Sequence, residues 1–288
     1  MTDLDNTLYD WVEIWYRSFT ALLETLAVES GVAFDQLVEE ARVVHQRHGT
    51  SEYAFLVQEL PSLLRLSPGD DLVRRYARAI HAYRQARTAS LRLYPGVRET
   101  LCALRARGCL LVGYTESLSY YAGYRMRKLG LDQLLDHLYS PADHALPRGL
   151  TPEQVRTHPA EHYAFHHTLH HHLPAGTHKP DARVLLDILA DVGCEREEAL
   201  YVGDSLLKDV AMAQDAGVTD VHAAYGVAQH REGYELLRRA THWTDQDVAR
   251  ERTLLERGEV VSSHVLVNGL HELLEQFEFA AFTAPAAV

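Results

Sequence analysis

The chain has 288 residues, 47% of them hydrophobic, which is enough for one large domain or two modest ones with buried cores. Its 40 acidic residues against 28 lysines and arginines give a formal charge of −12. That balance excludes a general affinity for nucleic-acid polymers or anionic membranes and confines any phosphate binding to a local, cation-assisted site.

Cys102, Cys109 and Cys194 form no CxxC pair, so neither a disulfide framework nor a zinc knuckle is expected, and a cytoplasmic location is. No stretch of about 18 apolar residues points to a membrane span, and the first residues are acidic rather than leader-like.

Between Tyr9 and Tyr94 apolar residues recur at every third and fourth position. Trp11, Trp15, Phe19, Leu22, Leu23 and Leu26 share one helical stripe, read as core rather than as a stacking platform. Stretches 34–48, 53–64 and 71–87 read the same way, separated by Gly31, Gly49 and Ser67-Pro68-Gly69. A bundle of about four helices is predicted.

After Tyr94-Pro95-Gly96 short apolar runs alternate with amphipathic stretches, as in parallel strands joined by crossover helices. Helices are predicted over 97–107, 120–129, 182–192, 206–216 and 270–277. Strands are predicted over 110–114, 134–139, 199–202, 218–223 and 265–267. The fold class is therefore α/β: a doubly wound parallel sheet built from 1–10 and 92–288, with an all-helical insertion over 11–91. Segments 140–178 and 231–262 exceed ordinary connections and are read as decorations of the core.

Four short segments carry chemistry-bearing residues, and in such sheets ligand sites lie beyond the carboxyl ends of the strands. Asp3-Leu4-Asp5-Asn6-Thr7-Leu8 holds two carboxylates which, in extended chain, face the same way. Thr115 follows a buried strand directly. Lys179 precedes Pro180 at a helix start. Gly203-Asp204-Ser205-Leu206-Leu207-Lys208-Asp209 again follows a strand and carries two more carboxylates. A nucleophilic carboxylate, a proton carrier, an ammonium and hard oxygen ligands for a divalent cation are the parts that phosphoryl transfer needs.

In order and separation these segments resemble the four motifs of the haloacid dehalogenase (HAD) superfamily, over most of the chain from Met1 to Gln229 and the last strand. The resemblance implies that Asp3 is the nucleophile and Asp5 the general acid and base. It implies that Thr115 and Lys179 bind the transferring phosphoryl, and that Asp3, Asp204 and the main-chain carbonyl of Asp5 hold Mg²⁺, with Asp209 supporting the metal or Lys179. The helical block resembles the cap that closes over the active site in one branch of the family.

Dehalogenating members lack an acid two residues after the nucleophile, so Asp5 favours phosphate ester hydrolysis. The expected activity is a phosphatase acting on a small phosphorylated metabolite through an aspartyl-phosphate. The local sequence is similar to members acting on phosphoglycolate, nucleotides and FMN. A phosphomutase ending in transfer to a sugar and a non-catalytic binding or regulatory protein are the alternative readings.

Family members carry four or five apolar residues before the nucleophile, whereas here only Met1 and Thr2 precede Asp3, and a start further upstream is expected. Eight histidines between His158 and His178, with His162, His166 and His170 at helical spacing, are read as a solvated helix in preference to a zinc or nickel site. His45, Arg47, His48 and Tyr53 are either a leaving-group recognition cluster or an ordinary helix end.

Overall fold

The computed structural model describes residues 1–147, 149–156, 158–174, 176–228, 231–244, 249 and 260–283. The chain divides into two units, one of Met1–Asp10, Arg92–Val227 and Gly258–Val288, the other of Trp11–Leu91 and Ala228–Arg257.

In the helical unit, α1 (Trp11–Ser30) buries Trp15, Phe19, Leu22, Leu23 and Leu26 on the stripe its spacing predicts. α2 (Phe34–His48) stops at Gly49, whose left-handed φ of 63° lets its N–H return to the His45 carbonyl. The helix predicted over 53–64 is two, α3 (Leu56–Glu59) and α4 (Pro61–Leu66), because the Pro61 ring disfavours helical backbone at Leu60, which stays extended at ψ 117°. The helix predicted over 71–87 is also two. Asp71 caps α5 (Leu72–Arg75) by accepting from the N–H groups of Val73 and Arg74, and α6 (Ala77–Ser90) begins after Tyr76 leaves helical geometry.

Segment 231–262 departs from expectation. Its helix α12 (Glu232–Ala240) belongs to the helical unit: Leu237 and Ala240 join the same buried cluster as Phe19 and Val44, and buried His45 Nδ1 donates to the Ala240 carbonyl at 2.6 Å. An amphipathic helix needs an apolar face to pack on, and α1 and α2 supply it. Residues 245–248 and 250–259 of that segment lie outside the described residues.

The other unit is α/β. Strands β1 (Val112–Tyr114), β2 (His137–Pro141) and β3 (Leu169–Leu173) pair in parallel, as do β4 (Leu200–Gly203), β5 (Thr219–Ala223) and β6 (His264–Leu266). Met1–Asp3 join the two sets. Thr2 N–H donates to the Val112 carbonyl (2.9 Å), Tyr114 N–H to the Thr2 carbonyl (2.9 Å) and Asp3 N–H to the Val202 carbonyl (2.8 Å). The sheet order is therefore β3-β2-β1, residues 1–3, then β4-β5-β6.

Helices α7 (Val97–Ala106), α8 (Ser119–Leu129), α10 (Ala182–Asp191) and α11 (Ala211–Ala216) alternate with these strands; α9 (Pro152–Val155) and α13 (Leu273–Gln276) are single turns. The chain runs outward from the centre to β3 and then back across to β4. Asp3, Thr115 and Asp204 consequently emerge side by side at the carboxyl ends of central strands, at the point where the winding reverses.

β3 lies inside the stretch 140–178 that the sequence reading treats as decoration. Its sequence, Leu-His-His-His-Leu, has no apolar run because it is an edge strand, with Leu169 60% exposed. The histidines are correspondingly not on one helix. His162 sits in the 3₁₀ turn Ala160–Tyr163, while His170 bonds Ser140 Oγ (2.8 Å) and His171 Nε2 faces His137 Nδ1 (3.0 Å) from the strand. No helix among the described residues is long and apolar enough to cross a membrane.

Candidate active site

The strand holding Asp3 ends there. Thr7 and Leu8 N–H both turn back to the Leu4 carbonyl, and Asn6 takes a left-handed φ of 59°, which asparagine tolerates better than most residues. The chain turns tightly just after Asp5, and the Asp3 and Asp5 side chains find different partners. Gly226 packs against this turn so closely that a Cβ on it would meet the Asn6 carbonyl oxygen at 1.9 Å.

Asp3, 6% exposed, receives Lys179 Nζ on Oδ1 (2.5 Å) and the Thr7 hydroxyl on Oδ2 (3.3 Å). Lys179 precedes Pro180 and the Asp181 cap of α10, and its ammonium also donates to Asp209 Oδ1 at 2.9 Å. Its positive end lies 4.8 Å from the centre of the Tyr114 ring and 5.5 Å from that of Tyr201.

Asp209 comes from the π-helical turn Leu206–Val210 after β4. Its other oxygen accepts the Ser205 N–H at 3.1 Å. Gly203 makes room for it, since a Cβ there would lie 2.2 Å from Asp209 Cγ.

Asp204 differs. It is half-buried, its carbonyl accepts from His222 Nε2 (3.1 Å), and no hydrogen-bond donor reaches its carboxylate among the described residues. Asp3, Asp204 and Asp209 each offer an oxygen within 4.8 Å of the others, the only such acidic, histidine or cysteine group among the described residues.

Burial pushes the Asp3 carboxyl up to about 7, with Lys179 opposing and Asp209 and Asp5 adding repulsion. Burial raises Asp204 well above the carboxylate range, reinforced by Asp209 and Asp3. For Lys179 burial acts the other way, but Asp209 and Asp3 outweigh it and hold the ammonium charged. Fully ionised, the three carboxylates would carry two negative charges beyond the one that Lys179 offsets, which a divalent cation would neutralise, and all the ligand atoms are hard oxygens. That set suits a hard divalent cation such as Mg²⁺, which Asp3 and Asp204 could hold, while Asp209, with both oxygens engaged, holds Lys179.

Asp5 stands on the other side of the turn. Thr115, fully buried at the end of β1, donates its hydroxyl to Asp5 Oδ2 (3.0 Å) and accepts the Ser117 N–H (3.0 Å). Ser117 Oγ donates to the same oxygen at 2.7 Å, and Arg125 Nη1 lies 3.3 Å from Oδ1.

Arg125, Ser117 and Glu116 are absent from the sequence-based set of site residues. Glu116 accepts Lys208 Nζ (2.6 Å) and the Lys179 N–H (3.2 Å), tying three of the four segments together. Although burial opposes its charge, Lys208, His178 and Lys179 hold it well below the carboxylate range.

The groups at 45–53 are engaged inside the helical unit. Arg47, His48 and Tyr53 all converge on Glu59, and the His48 and Tyr53 rings stack at 3.7 Å. A cavity of about 540 Å³ lies at the opposite, amino ends of β1 and β4, lined by Met1, Leu110, Leu200 and Phe282, and takes no part in this site.

A family model described as haloacid dehalogenase-like hydrolase matches residues 1–217. A glyceraldehyde 3-phosphate phosphatase of Methanopyrus kandleri is 26% identical over 258 residues, covering 88% of this chain and 94% of that protein. A phosphoglycolate phosphatase of Agrobacterium fabrum is 27% identical over 228 residues, 78% and 79% of the two chains. Among solved structures, a HAD phosphatase from Thermococcus onnurineus superposes with a TM-score of 0.52 at 17% identity over 98% of both chains. A magnesium-bound protein of Bacillus subtilis described as a HAD-hydrolase gives 0.51 at 14% identity over 95% of both. At these identities the structures speak to the fold.

Proposed function

The chain belongs to the haloacid dehalogenase-like hydrolases, and from that membership we propose that it is a magnesium-dependent phosphatase that moves the phosphoryl group of a small monoester onto Asp3 and then onto water. The observation that carries this reading is the convergence of Asp3, Asp204 and Asp209 on one another, with the Lys179 ammonium bonded to Asp3 and Asp209. Such a site has little use for a neutral substrate, since its excess negative charge calls for a divalent cation and its ammonium for an anionic group.

Asp3 attacks phosphorus while the bond to the leaving oxygen breaks, and Asp5 gives that oxygen its proton. Water then attacks the phosphoryl group on Asp3, loses a proton to Asp5 and frees the Asp3 carboxylate. Lys179 offsets charge on the equatorial phosphoryl oxygens throughout. Asp3, Asp204 and the Asp5 carbonyl would hold Mg²⁺, which when bound would supply the charge neutralisation that lets a carboxylate approach a phosphate dianion.

Thr115 is the one residue whose proposed role changes. With its hydroxyl on Asp5, it acts on the proton carrier before it acts on the phosphoryl. The Asp5 carboxyl itself favours phosphate esters over carbon–halogen bonds, because only an alkoxide leaving group needs a proton.

The relatives' substrates suggest where to look first, at two- and three-carbon phosphate esters. The test is hydrolysis of a panel containing phosphoglycolate, glyceraldehyde 3-phosphate, nucleotides, FMN and hexose phosphates, with and without chelator. Magnesium-dependent phosphate release from at least one small ester is expected. Release that survives full chelation, or none from any ester, would overturn the reading.

A further inference from the structure

Arg125 is 2% exposed and sits on the apolar face of α8, between residues that the helix buries, Tyr121, Ala122, Met126 and Leu129. Burying a guanidinium is costly unless it is paired and hydrogen-bonded, and arginine does not escape the cost by losing its proton. Its surroundings answer that need at one point of the site. Nη1 donates to Asp5 Oδ1 (3.3 Å) and to Ser117 Oγ (3.0 Å), and Ser117 passes its own proton to Asp5 Oδ2 (2.7 Å). The rings of Tyr9 and Tyr121 each lie with centres 5.9 Å from the guanidinium carbon.

Both oxygens of Asp5 are therefore spoken for, one by Arg125 directly and the other by Ser117 and Thr115. A carboxylate held through both oxygens, by a cation on one and two hydroxyls on the other, is fixed in orientation more firmly than one held by a single hydroxyl.

We propose that Arg125 is a positioning residue for the proposed proton carrier: with Ser117 as relay, it fixes the orientation of the Asp5 carboxylate, an inference that rests on the phosphatase reading above. Its bonds to Asp5 Oδ1 and to Ser117, which in turn bonds Asp5 Oδ2, carry its effect to the site through Asp5. Misplacing a proton carrier by about 1 Å costs up to about 10²-fold in rate.

The experiment is a double-mutant cycle on the best ester from the panel, using Arg125→Met, Asp5→Asn and the double variant, with kcat and KM measured separately. We expect Arg125→Met to lower kcat about 10- to 100-fold with KM within about threefold. We expect the double variant to be no slower than Asp5→Asn alone, because an anchor is worthless once its carboxylate is gone.

Fully additive losses, or a raised KM at unchanged kcat, would overturn the assignment and make Arg125 a substrate-binding or general structural residue. Should Arg125→Met not fold, Ser117→Ala enters the same cycle; it removes the relay without leaving a buried charge, and the same non-additivity with Asp5→Asn is required of it. An active wild type with an unaffected variant sinks the Arg125 role alone. A wild type without magnesium-dependent activity sinks the phosphatase reading and this inference with it.

Discussion

The charges at the carboxyl ends of the central strands are unequal in kind. Asp209 has a donor on each oxygen, Asp3 shares Lys179 with it, and Asp204 has no hydrogen-bond donor among the described residues. Burial lifts Asp3 to about 7, against 3.8 for the free side chain. As pH rises through that interval the unfolded chain releases this proton while the folded chain keeps it. The group therefore weighs increasingly against the folded state, fully so above pH 7.

A divalent cation binds the ionised form, so its stabilisation has the opposite trend. The rise in Tm on adding magnesium should be largest at pH 8 and fade towards pH 5, and Asp204→Asn should remove it. An equal rise at both pH values would locate the ion away from Asp3.

Asp3, Lys179, Asp204 and Asp209 were legible because each sits at a strand or helix boundary with a distinctive neighbour such as Pro180 or Gly203. Arg125 was not, since it looks like one more cation of a helix that also carries Arg127 and Lys128. Its signal was its phase, four residues after Tyr121 and four before Leu129, on the stripe that should have been apolar.

Elements were read well where periodicity was long and poorly where one residue breaks it. The stripe of α1 is buried from Trp15 to Leu26, with Trp11 half-buried at its start, whereas Pro61 and Tyr76 each divide a predicted helix into two. β3 escaped because an edge strand with three histidines carries no apolar run, and the turn at Asn6 because a single left-handed residue reverses the chain after Asp5.

Two consequences follow at this scale. Gly203→Ala should cost about 1–3 kcal/mol through the clash with Asp209 and lower activity by displacing Lys179, measurable by thermal melting and by kcat. A variant as stable and active as wild type would mean that the turn after β4 yields more easily than its packing suggests. Leu237→Ala should cost about 2–5 kcal/mol if α12 is integral to the helical unit, and an unchanged Tm would show that it is peripheral.

For the whole molecule, the −12 formal charge and the proposed phosphate-binding site are reconciled locally. The acidic chain concentrates a buried ammonium and a carboxylate set at the carboxyl ends of the central strands. The α/β order and the helical insertion were visible in the alternation of patterns, because crossover helices and parallel strands impose it. The allegiance of α12 was not visible, since a segment that returns from the end of the chain to pack on its beginning leaves no trace in local sequence.

Asp3 is proposed to carry the phosphoryl group, and mass spectrometry after rapid quenching examines that step itself. With a turned-over ester and magnesium, one phosphoryl group should be found on the peptide containing Asp3, and neither the adduct nor hydrolysis should occur in Asp3→Asn. Phosphate release at the wild-type rate from Asp3→Asn, or a phosphoryl group trapped on another residue, would contradict it.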